Sequence, residues 1–268
     1  MPNDDKTLAL LGHLSLMEFC RESARWSGGR GAIEETDGVL FFATGTTFPA
    51  LSQGALRVDH TVSGQDLVER ADEWFRARQR GYTVWARDFD GIDDDIAAAA
   101  QAAGFTTLGS GPEMVCRARL EDKPVDDDVE LRWVTDASGV ADFIAVNADA
   151  YSTYGMPREV VGDTIVDPSR LLVPHVHTVV AYIGGTPVAA AQTLLSHGIA
   201  GVYWVGTVEA ARGRGLGEAV TRAVTNRGFD LGASANTLQA SPMGEPIYAR
   251  MGYETIFRHR TFVRFSPP

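Results

Sequence analysis

The residues best suited to chemistry stand together at Arg212-Gly213-Arg214-Gly215-Leu216-Gly217, between a strand-like run ending at Thr207 and an amphipathic helical stretch. Glycine accepts tight turns at no side-chain cost and can bare its backbone N–H groups. At the start of a helix those groups carry partial positive charge, which favours a phosphate. Arg212 and Arg214 add guanidinium donors that match phosphate oxygens. The spacing reads as a pyrophosphate cradle. The competing reading, a glycine-rich connection with two solvated arginines, fits a strand-turn-helix setting less well.

The phosphate ligand can be narrowed. A nucleoside triphosphate loop needs Gly-Lys-Ser/Thr after its glycines, and here Glu218-Ala219 follow Gly217. A dinucleotide fingerprint fails in both registers, because Glu218 or Val220 stands where the last glycine is required. Other reactive side chains are isolated. His175 and His177 have no third ligand nearby, so no metal site is expected. Glu209 reads as a solvated turn residue and His197 as a structural one, while Tyr203 fits either a site or the core.

A cradle works only if firm elements hold it. Thr178 to Ile183, Val188 to Leu195 and Ala200 to Thr207 are β-rich, with Gly184-Gly185 as a hairpin turn between the first two. Leu216 to Phe229 places Leu216, Ala219, Val220, Ala223 and Val224 on one helix face. Upstream, Glu130 to Val134 alternates like a strand and Ala137 to Ala150 has a helical period. Downstream come a short strand near Thr237 to Ala240, a helix over Gly244 to Met251, and a β-like tail to Phe265. The first half repeats this order: β-like runs at Val39 to Phe42 and Ala55 to Val62, a helix over Asp66 to Arg80, a strand at Tyr82 to Arg87, a helix over Ile96 to Ala103, and a strand opened by Gly104-Phe105.

We therefore expect an α/β protein of two similar tandem units, residues 1–119 and 130–268, joined by a linker over 120–129 whose proline and acidic run leave little to bury. At the cradle's place the first unit has Thr61-Val-Ser-Gly-Gln-Asp66, with one glycine and no arginine. That unit reads as a degenerate copy, kept for packing or as one wall of an acceptor site.

Composition sets the remaining bounds. The 268 residues carry 24 basic and 35 acidic side chains, a net charge of −11, which argues against nucleic acid as a partner. At 44% hydrophobic and 22% charged the chain is globular, not disordered. Cys20 and Cys116 are too few for a disulfide framework or a zinc site. With no apolar run long enough to span a membrane, and an acidic Met1-Pro-Asn-Asp-Asp-Lys start that reads as a helix start and not as a signal peptide, a cytoplasmic protein is expected.

With the elements in place, Arg212-x-x-Gly215-x-Gly217 after a strand resembles the Arg/Gln-x-x-Gly-x-Gly/Ala signature of the GNAT superfamily of acyl-CoA-dependent N-acyltransferases. The later Leu238 to Tyr253 segment resembles the same family's strand followed by a helix bearing Tyr-x-x-x-Gly-aromatic. The likeness covers about Glu130 to Phe265, whereas the first half shares only the order of elements. It implies two GNAT-like units, each a mixed, mostly antiparallel sheet with flanking helices and a splayed central strand pair.

The resemblance also implies roles. Val205, Gly206 and Thr207 would pair with the pantetheine arm of acetyl-CoA, with a backbone N–H such as that of Val205 polarising the thioester carbonyl. Arg212, Gly213, Arg214, Gly215, Leu216 and Gly217 would hold the pyrophosphate. Tyr248 matches the family's general acid, a phenol that is protonated at neutral pH; on its residues alone it would read as a packing side chain. Ser241 stands where many members carry asparagine, and would either hydrogen-bond the cofactor or cap the next helix. No general base can be named. Tyr151, Tyr154 and Asp149 would line the amine pocket or else pack a helix end.

The expected activity is transfer of an acetyl or short acyl group from coenzyme A to a primary amine, with a small molecule as first choice of acceptor and a peptide or protein amine next. A non-catalytic acyl-CoA-binding or sensing module is the alternative.

Overall fold

The computed structural model describes residues 4–268. Met1 to Asn3, part of the segment read as a helix start, lie outside the described residues. The first half contains α1 (Asp5–Trp26), β1 (Ala32–Thr36), β2 (Val39–Ala43), β3 (Gln53–Arg57), α2 (Gly64–Arg76), β4 (Tyr82–Asp88), α3 (Asp94–Ala102) and β5 (Thr106–Cys116). The second contains β6 (Val129–Trp133), α4 (Ala137–Ser152), α5 (Glu159–Thr164), β7 (Val176–Ile183), β8 (Thr186–Ser196), β9 (Ile199–Thr207), α6 (Leu216–Asp230), β10 (Asn236–Gln239), α7 (Glu245–Met251) and β11 (Glu254–Arg264).

The two units share one mixed sheet of eleven strands, ordered β1-β2-β3-β4-β11-β5-β10-β9-β8-β7-β6. The halves exchange their last strands. β11 lies between β4 and β5, and β5 lies between β11 and β10. Both exchanged strands are 11 residues long, which lets each serve two neighbours. Each half keeps a parallel pair bonded at only two positions: β3 with β4 at Gly54↔Thr83 and Ala55↔Val84, and β9 with β10 at Asn236↔Ala200 and Thr237↔Gly201.

Strand alternation assigns the helices to opposite faces. Val180, Tyr182 and Ala190 pack with α4, whereas Val179, Ala181, Ala189 and Ala191 pack with α6. In the first half, Leu40 and Phe42 meet α1 while Val39, Phe41 and Ala43 meet α2 and α3. The long α1 crosses the seam. Leu16, Met17 and Cys20 pack on first-half strands, and Leu8 packs on Val115, Ile199 and Ala235. Cys20 and Cys116 are buried and unpaired by disulfide.

Several boundaries depart from the sequence reading. β3 ends at Arg57 and not at Val62, because Asp59 folds the chain into a turn, accepting from Thr61 N at 2.9 Å and Val62 N at 3.1 Å. β1 and α5 lack the apolar period that would have announced them. The stretch from Arg117 to Asp128 has no helix or strand, β6 begins at Val129 inside the span read as a linker, and the stretch is clamped along α6. Leu120 is buried, and Asn226 bonds both its N–H (2.9 Å) and its C=O (3.1 Å). Arg222 donates to Glu121 O at 2.6 Å, and Lys123 pairs with Glu218 at 3.1 Å.

Candidate active site

After Gly201 and Thr237, β9 follows β8 to Thr207 while β10 follows β5. A wedge opens between them, and β9 presents it with the backbone of Val202 to Thr207. The register along β8 skips between Ala190 and Gln192, and Trp204 has φ +52°, so a bulge re-aims the backbone just before Val205. Gly206 is required by packing: a Cβ there would lie 2.7 Å from Asn147 Oδ1 and 3.0 Å from Ala150 Cβ on α4. Asn147 is fully buried and donates to Phe143 O of its own helix at 3.0 Å, so its side chain lies against α4 where Gly206 leaves room for it.

Beyond Thr207 a short 3-10 turn, Glu209–Ala211, leads into the cradle. Gly213 and Gly215 have φ +81° and +73°, and a Cβ on either would meet nothing within 4 Å, so the turn borders open space. Gly215 is the N-cap of α6 and supplies no side-chain cap, so the first N–H groups of the helix, from Leu216 and Gly217 onward, stay available. A cradle of this shape fits a pyrophosphate. Its two cations are engaged nearby. Arg212 donates to Thr153 Oγ1 at 2.7 Å and lies 6.0 Å from the Tyr154 ring, while Arg214 pairs with Asp128 at 2.6 Å and Asp126 at 3.1 Å.

Tyr248, on α7, belongs to the α6 side of the sheet. Burial holds its hydroxyl protonated, with a pKa pushed up to about 12 against the opposing effect of Thr221. Tyr151, on α4, comes from the opposite side and donates to Val205 O at 3.4 Å. Burial, and after it the nearby Tyr248, raises the Tyr151 pKa. Side chains from opposite faces can approach in this way only because the strands between them have parted. Ser241 Oγ accepts from Gly244 N at 3.1 Å, closing the turn before α7, whose N-cap is Gly244.

Other sequence candidates resolve individually. Tyr203 is buried, stacks on Phe19 at 4.0 Å and bonds Ser15 Oγ at 3.1 Å, so it belongs to the packing of α1 on β9. Glu209 is exposed, and its N–H donates to Asp149 Oδ2 at 3.4 Å. Asp149 also takes a 2.5 Å hydrogen bond from Arg158, which, with smaller help from the Glu209 N–H, holds its carboxyl below the usual range. His197 sits at a hairpin with φ +52°. His177 contacts Pro174 O at 3.1 Å and His175 lies 3.4 Å from Glu22. Among the described residues no group of three His, Cys, Asp or Glu side chains could hold a metal, and no helix is long and apolar enough to cross a membrane.

The first-half counterpart of the cradle is closed. At the start of α2, Gly64 N donates to Asp95 Oδ2 at 2.6 Å, and a Cβ on Gly64 would lie 2.4 Å from the Asp95 backbone. The place between β3 and β4 is filled by a buried cluster in which Asp93 binds Arg57 at 2.5 Å and Arg87 at 2.6 Å. Sequence reasoning missed Trp204 and Phe19. A tryptophan in a left-handed bulge and a ring reaching over from α1 leave no periodic signal.

With this geometry in view, the family model described as "Acetyltransferase (GNAT) domain" matches residues 115–236, a span that includes the cradle and ends before Ser241 and Tyr248. Residues 115–236 thus resemble a GNAT domain, and the fold is the tandem GNAT fold. It is similar to a GCN5-related N-acetyltransferase from Kribbella flavida, with 18% identity, 94% of this chain and 96% of that one covered, and a TM-score of 0.67. A functionally unknown conserved protein from Staphylococcus epidermidis is 15% identical over 88% of this chain and 94% of its own, with a TM-score of 0.63. A tandem GNAT protein from the clavulanic acid biosynthesis pathway is 14% identical over 100% and 97%, with a TM-score of 0.59. At these identities the likeness is one of fold. No curated protein matches the sequence.

Proposed function

We propose that the chain is an N-acyltransferase that moves an acetyl or short acyl group directly from coenzyme A to a primary amine. The observation that carries this reading is the parting of β9 and β10 after two paired positions, with a glycine cradle at the end of the freed strand. Bound acyl-CoA would supply the thioester carbonyl that the amine attacks.

The chain's own residues then have three tasks. The backbone of Val205 to Thr207 offers an extended edge for an amide-bearing arm, and a backbone N–H beside the bulge at Trp204, such as that of Val205, would stabilise the negative charge that develops on the carbonyl oxygen. Gly213 to Gly217, with Arg212 and Arg214 released from Thr153 and from Asp126 and Asp128, bind the pyrophosphate. Tyr248 gives its proton to sulfur as the C–S bond breaks and the C–N bond forms, and it regains a proton from solvent. The amine's own proton leaves to water. Ser241 is assigned to closing the turn that leads into α7, through its bond from Gly244 N.

Thiol release from acetyl-CoA across a panel of primary amines tests the reading. Amine-dependent release is expected. Calorimetric binding of acetyl-CoA with no turnover on any acceptor would instead favour a sensing module.

A further inference from the structure

We infer that the acceptor is a monoamine carried on an aromatic or similarly apolar body, held by a wall of rings beside the wedge; this rests on the transferase reading of the same site. Four rings run in series there: Phe19 of α1, Trp204 of β9, Tyr151 of α4 and Tyr154 in the turn just after α4. Centroid separations run 6.5 Å from Phe19 to Trp204, 5.3 Å from Trp204 to Tyr151, and 6.1 Å from Tyr151 to Tyr154.

All four keep some exposure: Phe19 and Trp204 pack partly against the core, while Tyr154, in the turn after α4, is 54% exposed, where burial returns little to the fold. Trp204 Nε1 is enclosed yet has no hydrogen-bond partner, which leaves the wall a ring N–H for an oxygen on the ligand. Edge-to-face and offset ring contacts of this kind, and an alkylammonium over a ring face, are the interactions such a wall can make.

The charges nearby argue against polar acceptors. With Arg212 turned to the pyrophosphate, Arg158 still occupies Asp149, so among the described residues the rim carries a guanidinium and no free carboxylate within the series of rings. A polyamine would meet like charge there. An aminosugar would lose water from several hydroxyls and find one ring N–H in return, a net cost. An arylalkyl monoamine, with one ammonium and no hydroxyls, incurs the least of either penalty.

Calorimetric titration of the full chain with 2-phenylethylamine, spermidine and glucosamine tests this, with thiol release from acetyl-CoA read in parallel. The aryl amine should bind at least about tenfold more tightly than either polar amine. Tyr154→Ala should weaken that binding about three- to tenfold, and Tyr154→Phe, which keeps the ring, should restore it. Equal or tighter binding of spermidine or glucosamine, indifference of the aryl amine to Tyr154→Ala, or no binding of any of the three would overturn the inference. Ring-dependent binding without thiol release would overturn only the transferase reading.

Discussion

Gln239 donates to Glu113 at 2.6 Å, joining the last residue of β10 to a carboxylate on β5, a strand of the other half. His259 on β11 bonds the same carboxylate at 3.1 Å, and Glu113 is fully buried beneath Gly12 of α1. The wedge is therefore backed by three strands drawn from both halves.

A chain beginning at residue 120 should consequently lose its fold and its coenzyme A binding. Without β5, β10 and β11 lose the strand that bonds both, and their buried backbone groups are left unpaired. Adding residues 1–119 in trans should restore a cooperative melt. A truncated chain that melts cooperatively and binds coenzyme A like the full chain would contradict this.

Arg212→Ala should weaken coenzyme A binding by about 10- to 150-fold, the range for a lost charge-assisted hydrogen bond. Gly215→Ala acts differently: its new Cβ would meet no atom, so its cost is the left-handed backbone, about 1–2 kcal/mol. Calorimetry on both variants checks the assignment, and unchanged affinity in both would remove it.

Tyr248→Phe keeps the ring and deletes the proton, so turnover should fall by about 10² to 10⁴ while coenzyme A affinity holds. Since burial raises the Tyr248 pKa to about 12, its acid form persists as pH climbs and is lost only near that value. The wild-type rate should thus show no falling alkaline limb below about pH 10 from this group. A limb at lower pH that disappears in the Phe variant would count against the assignment.

One coenzyme A per chain is expected, because Asp95 occupies the start of α2 where the first half would need an anion site. Titration giving two equivalents, or one site lost on changing Gly64, would show the first half to be a working copy.

Asp93→Asn should destabilise the fold by about 3–5 kcal/mol, since Arg57 and Arg87 would keep buried charge without their shared partner. Burial alone would raise the Asp93 pKa, but hydrogen bonds and charge from Arg87, aided by Arg57, lower it overall. A depressed carboxyl stabilises the fold above its unfolded value of about 3.9, and that share is lost as pH falls below it. Chemical denaturation between pH 3 and 7 should show the loss in wild type and a flatter profile in the variant.

Much of this was legible in the residues. The cradle, the strand before it and the helix after it are local features: glycine spacing, a period of two, and a period near 3.6 all lie within a few turns of chain. The tandem order could be read for the same reason, as could the lack of a second cradle at Ser63-Gly64. Tertiary structure decided the rest. Strand exchange between β5 and β11 depends on pairing across about 150 residues of chain, which no local pattern encodes. Whether Arg214 meets a phosphate or Asp128, whether Tyr203 faces ligand or Phe19, and which rings gather around Trp204 are set by the approach of distant elements. The sequence determined what each segment is able to do; packing determined which of those capacities meet in one place.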